Sequence, residues 1–233
     1  MHKEIIIYTD GSSRGNPGPG GWAAIIRTND KVYELGGREE ETTNNRMELT
    51  ALLRSLEFVL DRKIEGTIIV HVDSAYVLNG TILWMHSWQK NGWKTKTGEQ
   101  VLNQDIWKPL FPIVFRLLQL ERLFIEKVKG HAGVLGNERA DEIATLFADG
   151  VIVPLYSGAR SVYEQMISTQ TKKSKVSRGK KAYSYVSLVK GVIHVDKTWD
   201  ACEKRVKGSQ GAKYKKVFSA EEEQAVKKLF IGE

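Results

Sequence analysis

The sequence predicts an α/β protein: a mixed five-stranded sheet with flanking helices, followed by a small C-terminal α+β module. Three observations carry that prediction. Apolar, β-rich runs come first and then alternate with helical patterns, which calls for a sheet with helices packed on it. A basic stretch without sustained periodicity then interrupts the pattern. From Ala182 a compact β-α pattern returns.

The charge divides at nearly the same place. The 233 residues carry net +7, but residues 1–150 hold 18 Lys+Arg against 20 Asp+Glu, whereas residues 151–233 hold 17 against 8. A near-neutral first part joined to a basic second part suggests an anionic partner held by the tail. The expected organisation is a first domain at 1–150, a basic linker at 151–182 and a small module at 183–233. Hydrophobic content of 41% suffices for a core. No apolar run approaches the roughly 18 residues of a membrane span, so no membrane partner is expected. The opening MHKEIIIYTDG lacks a signal-peptide pattern, and Cys202 is the single cysteine, which precludes an internal disulfide. A cytoplasmic, monomeric protein is expected.

The elements follow in order. Strands are predicted at 5–8, 22–27 and 31–36. The stretch YTDGSSRGNPGPGG joins the first two, with Asp10 at the predicted strand end. A phosphate-cradling loop would lead into a helix N-terminus and carry Lys-Ser/Thr, and this one does neither. It reads as a tight connection. A helical pattern runs from about 47 to 62, with Thr43 or Asn44 as its N-cap. The β-branched run 67–72 ends in Asp73, and a helix at 75–87 leads into the basic-aromatic stretch 88–96. A helix at 104–119, a strand at 123–128, the sequence Lys-Gly-His-Ala-Gly at 129–133 and a helix at 137–148 complete the first part. No Gly-x-Ser-x-Gly elbow is present, which argues against a Ser/His/Asp hydrolase.

Four carboxylates stand out. Glu48 shares a helical stripe with Leu52, Leu56 and Val59, where a carboxylate is costly unless paired, protonated or bound to metal. Asp10 and Asp73 each follow an apolar run, so parallel neighbouring strands would place both at carboxyl ends, where open α/β sheets bind ligands. Asp141 lies early in the last helix. Each alone also fits an ordinary role, in a turn or at a helix start. Four acids at one sheet end would repel each other unless cations neutralise them. Such a cluster suits Mg²⁺, and two such ions can align a water for in-line attack on a phosphodiester.

These residues carry a family resemblance. YTDGS at 8–12, GNPGPGG at 15–21, TNNRMEL at 43–49, Asp73-Ser74, VKGHAG at 128–133 and NERAD at 137–141 resemble bacterial ribonuclease HI over about residues 1–150. The resemblance implies a ribonuclease H fold and hydrolysis of the RNA strand of an RNA–DNA hybrid, leaving 5′-phosphate and 3′-hydroxyl ends. It implies two Mg²⁺ ions, with Mn²⁺ as an alternative, on Asp10, Glu48, Asp73 and Asp141. It gives His131 a part in proton transfer or product release. Asn16, Asn44 and Asn45 match minor-groove contacts, and Thr43 with Asn103 matches a DNA phosphate pocket. Trp88, Lys90, Trp93, Lys94 and Lys96 match a basic protrusion that grips DNA backbone. Ala75 stands where family members often carry Gln, and Glu41 where an Arg often stands.

Residues 183–230 resemble the small hybrid-binding, viroplasmin-like module usually found at the N-terminus of eukaryotic ribonucleases H. Tyr185-Val186, Thr198-Trp199, Cys202, GAKYKK at 211–216, Phe218 and AEEE at 220–223 carry the likeness. It implies that Trp199 and Tyr214 pack on DNA sugars and that Lys215 and Lys216 take phosphates, on a hybrid or on double-stranded RNA. The Gly-Arg-x-x-Gly loop expected before the Trp is absent; Lys190-Gly191-Val192-Ile193-His194-Val195 stands there.

Overall fold

The computed structural model describes residues 3–128, 134–167, 182–209 and 211–231. The chain divides into two compact units, Met1–Ile167 and Ser168–Glu233.

The first unit is built on β1 (Glu4–Ser13), β2 (Gly18–Arg27), β3 (Lys31–Thr42), β4 (Thr67–Val72), β5 (Leu123–Lys127) and β6 (Ser157–Ala159). Their order across the sheet is β5-β4-β1-β2-β3-β6. β1, β4 and β5 run parallel, whereas β2, β3 and β6 join antiparallel. The sheet therefore has six strands, one more than the five expected, because residues 157–159 add an edge strand to β3. Strand β1 does not stop at Asp10: Gly11, Ser12 and Ser13 continue its ladder with β2. The glycine-rich stretch is mostly strand, with only residues 14–17 as the connection.

Alternation along β1 splits the core between the two faces. Ile5 and Ile7 face α1 (Asn44–Asp61) and α4 (Gln104–Gln119), in a cluster with Leu52, Leu56, Val70 and Trp107. On the other face Ala23, Ile25 and Val32 meet Ala140, Ile143 and Ala144 of α5 (Leu135–Ala148). Helix α1 starts where Thr43 accepts a hydrogen bond from the Arg46 N–H, one of the two caps expected. The helix expected at 75–87 is broken into α2 (Ala75–Asn79), a π-helical turn (Gly80–Trp84) and α3 (Met85–Lys90). The break falls where Gly80 lies against the buried Trp107 ring.

Residues 151–167 belong to this first unit, so the basic linker cannot begin at 151. Residues 160–167 are helical (α6), and Val153, Tyr163 and Ile167 join the cluster beneath α5.

The second unit has a three-stranded antiparallel sheet, order β8-β7-β9, from β7 (Ser184–Val189), β8 (Val192–Asp196) and β9 (Lys213–Val217). Helices α7 (Trp199–Val206) and α8 (Ala220–Ile231) accompany it, and Val186, Val217 and Val226 form its core. Among the described residues, no helix is long and apolar enough to cross a membrane.

Candidate active site

The parallel pairing of β1 with β4 brings the first two acids together. Tyr8 is the register partner of His71, and their rings stack 4.8 Å apart. Asp10 and Asp73 each lie two residues further along, so both side chains leave the same sheet face at the carboxyl end of the parallel pair. Glu48 arrives from the other side, on the first turn and a half of α1. One carboxylate oxygen from each of Asp10, Glu48 and Asp73 lies within 4.8 Å of the others. Asp141, on α5, also faces Asp10 and shares a side-chain hydrogen bond with it.

Two glycines permit this convergence. A Cβ on Gly11 would lie 2.2 Å from the backbone N of Glu48, so α1 crosses β1 with no room for a side chain. A Cβ on Gly136 would lie 2.2 Å from the Tyr8 ring, so the first turn of α5 rests directly on that ring. The glycine after Asp10 serves close approach rather than a turn away from the sheet, which is how the sequence alone reads it.

Burial and mutual repulsion dominate the electrostatics of the cluster. Burial, then the Asp73 charge, pushes the Asp10 carboxyl up to about 8, against one opposing hydrogen bond donated by the Gly11 N–H at 2.8 Å. Burial first, and then Asp10 and Asp73, holds Glu48 well above the usual carboxylate range. Asn44 Nδ2 donates a long hydrogen bond (3.4 Å) to Glu48 Oε1, while Oε2 is buried without a hydrogen-bond partner. Hard oxygen donors, one orphaned and several mutually repelling, are the donor set that a divalent cation such as Mg²⁺ fits.

The other residues singled out from the sequence fall into three groups. Asn16, Asn44 and Asn45 are exposed, and Asn44 also touches the cluster through Glu48. Thr43 caps α1, and Arg46 from that helix reaches Asn103 Oδ1 (3.5 Å) and forms a bidentate pair with Asp105 at 2.9 and 2.7 Å. Asn103 is held in turn by Tyr76, whose hydroxyl also accepts from Trp107. Lys90, Lys94 and Lys96 are exposed, but Trp88 and Trp93 pack against the core cluster, Trp88 edge-on to Trp107 and Trp93 edge-on to Phe111. Both tryptophans are partly buried, so they anchor the basic stretch to the core. His131 lies outside the described residues.

In the second unit Trp199 sits between Tyr185 and Tyr214, with ring centroids 5.6 and 5.2 Å away. None of the three is a core residue, and Tyr214 is 55% exposed. Register and alternation place Tyr185, Tyr214 and Lys216 on one sheet face. Lys215 falls on the opposite face with Val186 and Val217.

A family model described as RNase H matches residues 2–149. The chain belongs to the ribonuclease H family. It is therefore a ribonuclease H enzyme with the fold the sheet order displays. A second model, the ribonuclease H1 N-terminal domain, matches residues 193–225, here near the C-terminus. Relatives include Ribonuclease H of Syntrophomonas wolfei, 48% identical over 143 residues, which are 61% of this chain and 94% of the relative. Ribonuclease H of Mesorhizobium japonicum is 42% identical over 180 residues, 75% of this chain and 98% of that one. Among solved structures, LC9-RNase H1, a type 1 RNase H with the type 2 active-site motif, superposes with a TM-score of 0.55 at 26% identity, covering 65% of this chain and 75% of that one.

A buried network that the sequence reading does not single out lies under α5: Glu34 accepts from Arg139 and Tyr163. Glu34 has a visible signal, since it lies two residues from Val32 on a strand and so shares the face of a fully buried residue.

Proposed function

We propose that the protein is an endonuclease that hydrolyses the RNA strand of RNA–DNA hybrids, using divalent metal held by Asp10, Glu48, Asp73 and Asp141. The observation that carries this reading is the convergence of Asp10, Glu48 and Asp73, joined by Asp141 through its hydrogen bond with Asp10. When bound, two Mg²⁺ ions supply Lewis-acid activation of a water and charge stabilisation for the leaving oxygen, giving 5′-phosphate and 3′-hydroxyl ends. Asp10 and Asp73 present their oxygens from the carboxyl end of the parallel β1–β4 pairing, and Glu48 presents its own from a helix that Gly11 lets in close. Asn44, hydrogen-bonded to Glu48, ties an exposed substrate-facing residue to the metal-holding one. Asn16 and Asn45 meet the minor groove, while Thr43 and Asn103 with Arg46 form the phosphate-facing corner at the head of α1. Lys90, Lys94 and Lys96 supply charge to the DNA strand. His131 takes the proton-transfer or product-release role.

The second unit tethers substrate. Trp199 and Tyr214 offer aromatic faces for sugars or bases and Lys216 lies on the same face, a combination suited to a nucleic-acid strand in a hybrid or in double-stranded RNA. A tether of this kind raises effective substrate concentration without touching the chemistry. The deciding experiment measures Mg²⁺-dependent cleavage of labelled RNA–DNA hybrid, RNA duplex and DNA duplex by the full chain and by Asp10→Asn. Cleavage of the hybrid's RNA strand alone, lost in Asp10→Asn, is expected; equal cleavage of RNA duplex would replace the hybrid-specific reading. Trp199→Ala should weaken hybrid binding by about 1–3 kcal/mol and leave kcat at saturating substrate unchanged.

A further inference from the structure

Glu34 accepts four hydrogen bonds at a site buried from solvent. Its side chain is 0% exposed. Arg139 donates to it twice, from Nε at 2.7 Å and from Nη2 at 3.1 Å. The Tyr163 hydroxyl donates at 2.9 Å and the Tyr156 N–H at 3.0 Å. Arg139 also holds Glu142 at 2.8 Å. Two of the four donors to Glu34 therefore come from residues beyond 150, the part of the chain that the family match to residues 2–149 leaves out.

The geometry ties this network to the catalytic cluster. Arg139 and Asp141 are two residues apart on α5, about 200° around the helix axis, so they leave opposite flanks. Helix α5 lies over β2 so closely that a Cβ on Gly21 would lie 2.3 Å from the Ala144 carbonyl oxygen and 2.7 Å from the Ala148 nitrogen. From that position Arg139 reaches β3, the neighbour of β2 on one side, and Asp141 reaches Asp10 on β1, its neighbour on the other. Rotation of α5 about its axis would carry Asp141 away from Asp10 while pulling Arg139 off Glu34. The bidentate pair resists that rotation with a fixed fork geometry.

We propose that Glu34 is a positioning residue for the metal cluster: through Arg139 it sets the rotation of α5 and hence the place of Asp141, with Tyr156 and Tyr163 of the 151–167 extension holding Glu34 in turn. This inference rests on the metal-cluster reading above. It makes the extension part of the catalytic unit, so that cutting the chain after residue 150 removes support for Asp141 and not merely a linker.

The test uses the full chain and two readouts, Mn²⁺ binding followed by electron paramagnetic resonance and steady-state cleavage of hybrid, at a temperature where circular dichroism shows each variant folded. Glu34→Gln should bind Mn²⁺ about 10-fold more weakly and lose about 10-fold in kcat, with KM for hybrid unchanged, as expected for the loss of a group supporting a metal ligand. Tyr163→Phe should move both values in the same direction by less. A folded Glu34→Gln with native Mn²⁺ affinity and kcat, changed only in melting temperature, overturns the inference. If Glu34→Gln does not fold, Tyr163→Phe decides, because it keeps the carboxylate–guanidinium pair; unchanged Mn²⁺ affinity there overturns it. A native chain that binds Mn²⁺ but cleaves no hybrid refutes the proposed reaction, and the Mn²⁺ comparison still judges Glu34. A native chain that binds no Mn²⁺ overturns the inference outright.

Discussion

Glu34 and Glu48 are both glutamates buried in the first unit, 4% and 6% exposed, and their surroundings are opposite. Glu34 lies where β3 meets α5 and accepts four hydrogen bonds, two of them from a guanidinium. Its carboxyl is held below the usual range even though burial, the largest single influence, acts the other way. Glu48 lies where β1 meets α1, accepts one long bond from a neutral amide and faces two other acids. Burial is common to both sites, so burial alone does not mark function. The difference is whether the fold supplies the counter-charge itself or leaves that to something from outside.

The largest test of this contrast is Asp10→Asn, which removes a carboxylate from the acidic cluster. Hybrid cleavage in Mg²⁺ should fall about 1,000-fold or more, while the melting temperature in chelator stays level or rises. Next, thermal unfolding in chelator should separate the two glutamates by sign. Glu34→Gln leaves the partly buried Arg139 with only the exposed Glu142 as counter-charge and should destabilise by about 3 kcal/mol. Glu48→Gln relieves repulsion and should raise the metal-free midpoint by about 2–4 °C. If both variants destabilise alike, the contrast between the two seams is wrong.

Gly11→Ala probes the close approach that brings Glu48 in. Its Cβ would meet backbone at 2.2 Å, so α1 must shift; destabilisation of about 1–3 kcal/mol and a matching loss of kcat should appear together. The smallest effect is on pH dependence. Asp10 takes up protons on folding, its carboxyl moving from 3.8 to about 8, so its contribution to metal-free stability declines as pH rises across that window. Glu34 releases protons on folding, so its contribution is present above its ordinary 4.5 and disappears as pH falls below it. Thermal melts in chelator should therefore show a broad maximum on the acidic side of neutrality. Saturating Mg²⁺ should flatten the alkaline limb alone.

Much of the site was legible in the chain because its chemistry is local. An acid after an apolar run, an acid on a helical stripe and the order of the motifs are all patterns of neighbouring residues, and they named Asp10, Glu48, Asp73 and Asp141. The strand ends were less legible. Nothing in Gly11-Ser12-Ser13 has strand propensity, and it is the ladder with β2 that extends β1 through them. Read beside three lysines, Trp88 and Trp93 show nothing of their packing; only the fold brings Trp107 and Phe111 against them. Residues 151–167 look like a linker because three-residue β6 carries no periodic signal, and its pairing with β3 is a contact across more than a hundred positions.

By itself the sequence determined the two-part organisation, the order of strands and helices and the identity of the acids, since propensity, alternation and charge act over a few residues. The tertiary structure alone decided which acids converge and which buried acid is neutralised. Convergence depends on the parallel register of β1 with β4 and on two glycines that admit helices to contact distance. Neutralisation depends on Arg139 and Tyr163 lying 105 and 129 positions from Glu34 along the chain. Electrostatic energies follow distance in space, and distance in space is what a linear chain does not state.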